Sequence, residues 1–382
     1  MRHITWSTSV FIMLVLRKRT VVLLGFIFVV SSVTVLRLTG LHTGGYQTEQ
    51  MFAQKTQSVS EIILPVILQT TYSAVAEDLR APADARNPLI PHIIHQTFET
   101  VMIPSELESY IRTVVNMNAN WTYYFWTDVS ARNLVKERHP NLLDIWDKYK
   151  RNIMRADALR YVVLYEFGGA YLDLDVEAYR SFNRITYKYG CIIPPEPIEH
   201  SALLYNMTLL LNNAIMFCRA KHPIMKALMN GLEGSMNHKN ILFATGPIFL
   251  TNMFNSYVNE RILNKSVIIN NDSSGTTVFH VSGEAYIVDI YIPNVAFFND
   301  EIDYTLQNKG FQQTCKNVSD SSNLVRQACG HFLNREMKRQ MNFLAFTGHK
   351  WIHLWLRSKA DNQKTSKKNI SEILAEKTIT IF

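Results

Sequence analysis

Two aspartates two residues apart, Asp173 and Asp175, close the segment Met154 to Glu177, MRADALRYVVLYEFGGAYLDLDVE. In an extended chain, Asp173, Asp175 and Glu177 share one face and Leu172, Leu174 and Val176 the other. Carboxylates so spaced, at the mouth of a buried strand, can hold a divalent cation that grips a diphosphate. The triplet alone says little, since a chain of this length holds about one by chance and two solvated acids explain it. The helix before it adds weight. Asp157 and Arg160 are three apart and Tyr161 lies four from Asp157, so one helical face carries all three. A carboxylate acceptor and a guanidinium donor used together suit sugar hydroxyls, although a surface salt bridge would use the same spacing. The chemistry indicated is metal-dependent transfer from a nucleotide-activated substrate.

These residues need a frame. Gly168 is suited to a left-handed helix cap, and Gly169 lets the backbone pass closely into the acidic strand. Upstream, the pattern predicts a strand ending at His95, a helix through about Pro104 to Asn116, a strand at Tyr123 to Trp126, and a helix from Ser130 to Lys136. Strands alternating with helices imply an α/β sheet covered on both faces, with ligands outside the strand C-termini. His95, Trp126 and Asp175 would then meet at one edge. No G-x-G-x-x-G is present, so nothing signals a nicotinamide or flavin site.

The run R-A-D-A-L-R-Y-x-x-L-Y-x-x-G-G-x-Y-L-D-L-D-V-E resembles the signature of glycosyltransferase family 32, the glycosyltransferases with a DXD sugar-binding region. Within that family it is most similar to the inositol phosphoceramide mannosyltransferase branch. Ile90 to Thr97, Tyr124 to Asp128, Asn213 to Met216 and Thr245 to Pro247 agree in order, and Gly348 to Trp351 agrees loosely. The resemblance implies a GT-A-like, Rossmann-type nucleotide-sugar-binding domain and a catalytic set of Asp157, Arg160, Asp173 and Asp175. It implies that His95, Gln96 and Trp126 line the nucleotide pocket, with Trp126 stacking on the base and Asp157, Arg160, Tyr161 and Asp173 meeting the nucleotide sugar. Asp173, Asp175 and His349 would hold Mn2+ or Mg2+. For Trp126 core packing, and for His349 an ordinary C-terminal histidine, explain the residue about as well. Thr245-Gly246-Pro247 reads as a turn on the acceptor side.

The chain has 382 residues, 47% apolar and 19% charged, an ordinary globular balance. Its net charge of +7 is scattered or flanks an apolar run, and no nucleic-acid motif accompanies it. That run, Thr20 to Leu36, holds 17 uncharged residues and as a helix would span about 26 Å. Arg17, Lys18 and Arg19 precede it and Arg37 follows, which favours a cytosolic N-terminus and a lumenal remainder. The expected layout is a cytosolic segment 1–19, a transmembrane signal anchor 20–36, a stem 37–88, a catalytic domain 89–357 and a polar tail 358–382. An oxidising lumen permits disulfides among Cys191, Cys218, Cys315 and Cys329. Cys315 with Cys329 is the easiest closure, and Cys218 also reads as a buried thiol. Six Asn-x-Ser/Thr sequons, at Asn120, Asn206, Asn264, Asn271, Asn317 and Asn369, permit glycosylation.

The expected function is a single-pass type II enzyme of the Golgi or early secretory pathway. It would move mannose from GDP-mannose, with retention and with a metal, onto a glycolipid such as inositol phosphorylceramide. A UDP-sugar-dependent α-galactosyl or N-acetylglucosaminyl transferase, acting on glycolipid or glycoprotein, is the nearest rival. A non-catalytic, membrane-tethered carbohydrate-binding protein is the second.

Overall fold

A computed structural model describes residues 86–263, 267–271, 277–281, 289–298, 301–303, 305, 310–319, 321–337, 345–357 and 364–382. The expected anchor at 20–36 and nearly all of the stem lie outside them. Among the described residues no helix is long and apolar enough to cross a membrane.

The first half runs β1 (Ile93–Thr97), β2 (Met102–Pro104), α1 (Glu108–Met117), β3 (Thr122–Trp126), α2 (Asp128–Arg138), α3 (Pro140–Lys148), α4 (Asn152–Phe167), β4 (Gly169–Leu172) and β5 (Val176–Ala178). Next come β6 (Cys191–Ile192), α5 (Ile198–Tyr205), β7 (Ile215–Cys218), α6 (Pro223–Ser235), α7 (Pro247–Leu263), β8 (Val267–Asn271), β9 (Thr277–Val281) and β10 (Ile290–Ile292). The remaining elements are α8 (Asn323–Met337), β11 (Thr347–His349), β12 (Lys367–Asn369), α9 (Ile370–Ile373) and β13 (Ile379–Ile381).

Nine strands form one mixed sheet, in the order β13-β3-β1-β4-β7-β6-β10-β9-β8. The β13, β3, β1 and β4 strands are mutually parallel, while β7 runs antiparallel to β4 and β6. The sheet is therefore mixed, with a parallel block of four strands at one end. Its faces carry separate apolar cores. One joins Leu159, Val162 and Val163 of α4 to Leu228 of α6 and Phe254 of α7. The other joins Ile111 and Val114 of α1 to Phe125, Ala170 and Leu172. With both faces covered, β4 is buried at all four positions, which explains its continuous small and apolar sequence.

The local rules are legible. Thr127 caps α2 by a reciprocal box with Ser130, and Pro140 opens α3 where no donor is needed. Gly168 ends α4 at φ +66°, where an added Cβ would lie 2.5 Å from the Ala220 nitrogen. Gly169, at φ +104°, would place one against the Ile93 carbonyl, so β4 approaches β1 there only because residue 169 is glycine.

Two elements differ from the sequence expectation. The acidic strand is not continuous: β4 stops at Leu172, Asp173 to Asp175 turn, and β5 leaves the main sheet to pair with β11. The turn carries the carboxylates out of a ladder that would bury their charge unpaired. Residues 367–382, expected as polar tail, pair β12 with β2 and β13 with β3, because Ile370, Ile373 and Leu374 find apolar cover. Cys218, for which a buried thiol was the alternative, is bonded to Cys191, its direct cross-strand partner in β6, and Cys315 is bonded to Cys329.

Candidate active site

The site forms where α4, the turn after β4 and the segment following β11 converge. Arg160, whose side chain is 2% exposed, reaches Asp157 at 2.8 Å and Asp173 at 3.5 Å. It also donates to the Asn213 carbonyl and stacks on the Tyr171 ring at 4.7 Å. Its Nε has no hydrogen-bond partner among the described residues. Asp157 is braced from both sides: Asn213 donates to Oδ1 at 3.0 Å, and the Thr245 hydroxyl to Oδ2 at 2.8 Å. Tyr161 donates to the Thr245 carbonyl, and Tyr171 to Asp173 Oδ1 at 3.0 Å.

Asp175 belongs to a second group. Its Oδ1 lies 3.3 Å from His349 Nε2, and its Oδ2 accepts the Ile352 N–H at 2.9 Å. Asp173, Asp175 and His349 offer ligand atoms all within 4.8 Å of one another. Two carboxylate oxygens and an imidazole nitrogen form a donor set that Mn2+ or Mg2+ accepts. The buried Nδ1 of His349 has no partner among the described residues, so the ring still has capacity to serve a ligand. The residues fit a divalent cation.

The electrostatics separate the two groups. Burial pushes Asp157 up to about 6, against the pull of Arg160 and the Thr245 and Asn213 hydrogen bonds. Burial raises Asp173 too, with Arg160 opposing and Asp175 adding to the rise. For Arg160, burial disfavours the charge, but Asp173, Tyr171 and Asp157 hold it above its ordinary value. At Asp175 burial is outweighed: the His349 imidazole and the Ile352 N–H hold it down at about 2. His349 rises in turn, because Asp175, then Asp173 and Glu196, outweigh its burial.

The other expected residues fall elsewhere. His95 and Trp126 pair at 3.1 Å on the α4 face of the sheet, 0% and 1% exposed. Burial lowers His95 to about 4, so its imidazole is neutral, with the second nitrogen 2.8 Å from the Gly168 carbonyl. Phe382 lies flat on Trp126 at 4.1 Å, covering the ring face that base stacking would need. Gln96 points to the opposite face, accepting from Tyr123 and donating to the Asp173 carbonyl at 3.3 Å. His95 and Trp126 thus support the strand ends from beneath, and only Gln96 touches the acidic turn. Thr245 lies in a turn, as expected, and from there braces Asp157.

Sequence reasoning missed Tyr171, whose i, i+2 relation to Asp173 was visible, and the N–H of Ile352, for which no side-chain signal exists.

Residues 104–191 match the family described as glycosyltransferase sugar-binding region containing DXD motif. Over this region the chain is similar to that family. Among curated relatives it is 28% identical over 175 residues to inositol phosphoceramide mannosyltransferase 2 of Schizosaccharomyces pombe, covering 44% of this chain and 48% of that protein. It is 30% identical over 191 residues to mannosyl phosphorylinositol ceramide synthase SUR1 of Saccharomyces cerevisiae, covering 49% and 47%. The matched stretch thus spans about half the length of these relatives. Among solved structures the chain is similar to the PaToxG glycosyltransferase, with a TM-score of 0.37 and 16% identity over 55% of this chain and 82% of that one.

Proposed function

We propose that the chain is a metal-dependent, retaining glycosyltransferase of GT-A type. It moves mannose from GDP-mannose onto a glycolipid such as inositol phosphorylceramide. The observation that carries this reading is the junction of Asp157–Arg160–Asp173 with Asp175–His349. The transferred mannose and the acceptor follow the names of the relatives. Anchoring at 20–36 as a single-pass type II protein of the Golgi or early secretory pathway completes it, with the charge flanking that run as support.

Asp173, Asp175 and His349 would hold Mn2+ or Mg2+, which when bound neutralises charge on a departing nucleotide diphosphate. Arg160 offers the donor sugar a fixed cation, and Asp157 orients that guanidinium. Gln96 secures the backbone of the acidic turn, while His95 and Trp126 support the strand ends from beneath and Tyr161 fixes the Thr245 carbonyl. Because Arg160, Asn213 and Thr245 occupy both Asp157 oxygens, that residue is poorly placed as a nucleophile. Front-face attack is the route this favours: the acceptor oxygen bonds the anomeric carbon as the sugar–phosphate bond breaks, and its proton passes to the leaving phosphate oxygen.

Full-length chain in solubilised membranes, given labelled GDP-mannose or UDP-galactose with inositol phosphorylceramide, tests the reading. The expected product is α-mannosylated lipid from GDP-mannose alone, abolished by EDTA and restored by Mn2+. Preferential use of UDP-galactose would overturn the donor, and binding without turnover the catalysis.

A further inference from the structure

A second carboxylate sits beside the site and has no part in the scheme above. Glu196, on the loop between β6 and α5, is 7% exposed. Its loop is pinned by a bridge between Pro195 and Leu211 and by the Glu196 N–H to Leu210 carbonyl bond of 2.7 Å. Glu196 Oε2 lies 3.0 Å from His200 Nδ1. His200 Nε2 accepts the backbone N–H of Asp303 at 3.1 Å. A ring nitrogen that accepts is unprotonated, so Nδ1 carries the hydrogen and donates to Glu196. The imidazole is thereby fixed in one tautomer, and Glu196 Oε1 has no partner among the described residues.

This pair is tied to the proposed metal ligands. The His200 ring meets Trp351 edge-on at 4.7 Å, and Trp351 packs on His349 at 4.0 Å. Asp303 bonds His353 at 2.8 Å, one residue beyond the Ile352 N–H that holds Asp175. The Glu196 carboxylate also acts electrostatically on His349, whose buried Nδ1 is itself unpartnered. An acceptor oxygen on Glu196 and a ring nitrogen on His349 are thus left open in one neighbourhood. A hydroxyl, which both donates and accepts, can satisfy both.

We propose that Glu196, positioned by His200, binds the polyol acceptor by accepting a hydrogen bond from a hydroxyl next to the one that attacks. The inference rests on the glycosyltransferase reading. Glu196 takes up no proton in this scheme, because the attacking hydroxyl's proton leaves with the phosphate.

The test compares wild type with Glu196→Gln in the full chain, measuring both GDP-mannose hydrolysis and transfer to inositol phosphorylceramide. A hydrogen bond to a charged group is worth about 1.5–3 kcal/mol, so the ratio of transfer to hydrolysis should fall about 10- to 100-fold through acceptor kcat/KM. His200→Gln should lower the same ratio by less. With a series of monodeoxy-inositol acceptors, one analogue should lose the same factor on wild type and almost nothing further on Glu196→Gln, which a merely structural role would not produce. An unchanged ratio, or hydrolysis and transfer falling together, overturns the inference. Wild type that neither hydrolyses nor transfers sinks the glycosyltransferase reading instead, and this inference with it.

Discussion

The two halves of the site are built on opposite plans. Around Asp157 both carboxylate oxygens are matched, by a guanidinium, an amide and a hydroxyl, with Arg160 Nε left open among the described residues, and all sit on or against α4 and the core. Around Asp175 and His349 the backbone is irregular, with Trp351 and His353 at φ +53° and +50°, and a buried ring nitrogen is left open. The first half is a finished brace that can orient a donor without rearranging. The second is an open set of ligands that an incoming cation would complete. Burial raises Asp157, whereas a neighbouring imidazole depresses Asp175 despite burial, so charge is stored on the side where a cation would be held.

The sharpest way to break this contrast is to remove one residue from each half. Asp175→Ala should lower transfer by about 1,000-fold or more, since a metal site contributes several kcal/mol to the transition state. Its thermal midpoint without metal should also fall by a few degrees, because His349 and the Ile352 N–H lose their carboxylate partner. Near-normal turnover would refute the open half's role. Arg160→Ala should do the reverse first: it leaves Asp157 buried without its cation, at a cost of about 3–5 kcal/mol in denaturant unfolding. A loss below about 1 kcal/mol would mean that the brace carries no strain-bearing charge.

Acid titration sharpens the contrast further. Asp157 is raised to about 6, so the native state holds its proton more firmly than the unfolded chain does. Its contribution is therefore lost as pH rises from about 4 to about 6, by about 3 kcal/mol in all, and stays lost above that. Asp175, held at about 2, has the opposite sign: its contribution is present above about 4 and disappears as pH falls towards 2. Asp157→Asn should flatten the slope of unfolding free energy between pH 4 and 6 and leave the lower limb intact. An unchanged slope would place the titration elsewhere.

The same contrast explains what the sequence could reveal. The charged pair of the finished half lies on one helix, so periodicity alone joined Asp157, Arg160 and Tyr161, and alternation would have added Tyr171, whereas the braces Asn213 and Thr245 come from distant segments. The glycine pair was legible for the same reason, because positive φ and close backbone approach leave few other residues possible. The open half is assembled across the chain from Asp175, His349, Ile352 and Glu196, and no local period links such positions. The break after Leu172 was hidden too: the alternation of burial continues through the turn, although the strand does not. The β13 strand was missed because Ile379 and Ile381 follow a lysine-rich stretch whose composition reads as a tail.

The smallest expected effect concerns Trp126, and it decides on which side of the contrast that residue belongs. The ring lies in the core with His95 and Phe167, and Phe382 stacks on it at an interplanar angle of 4°. If Trp126 belongs to the finished brace, Phe382→Ala removes one exposed partner, and the GDP-mannose KM should shift by less than about twofold. Stability should fall by about 0.5–1.5 kcal/mol from the lost aromatic pair. If instead the base stacks where Phe382 now lies, the same substitution removes a competitor, and the KM should drop clearly while kcat holds. Tryptophan fluorescence during a GDP titration separates these outcomes, because only a base on the indole face quenches Trp126 in the Phe382→Ala chain and not in a Trp126→Phe control. Quenching confined to Phe382→Ala would move Trp126 to the nucleotide-contacting side and make the β13 edge strand a gate over it.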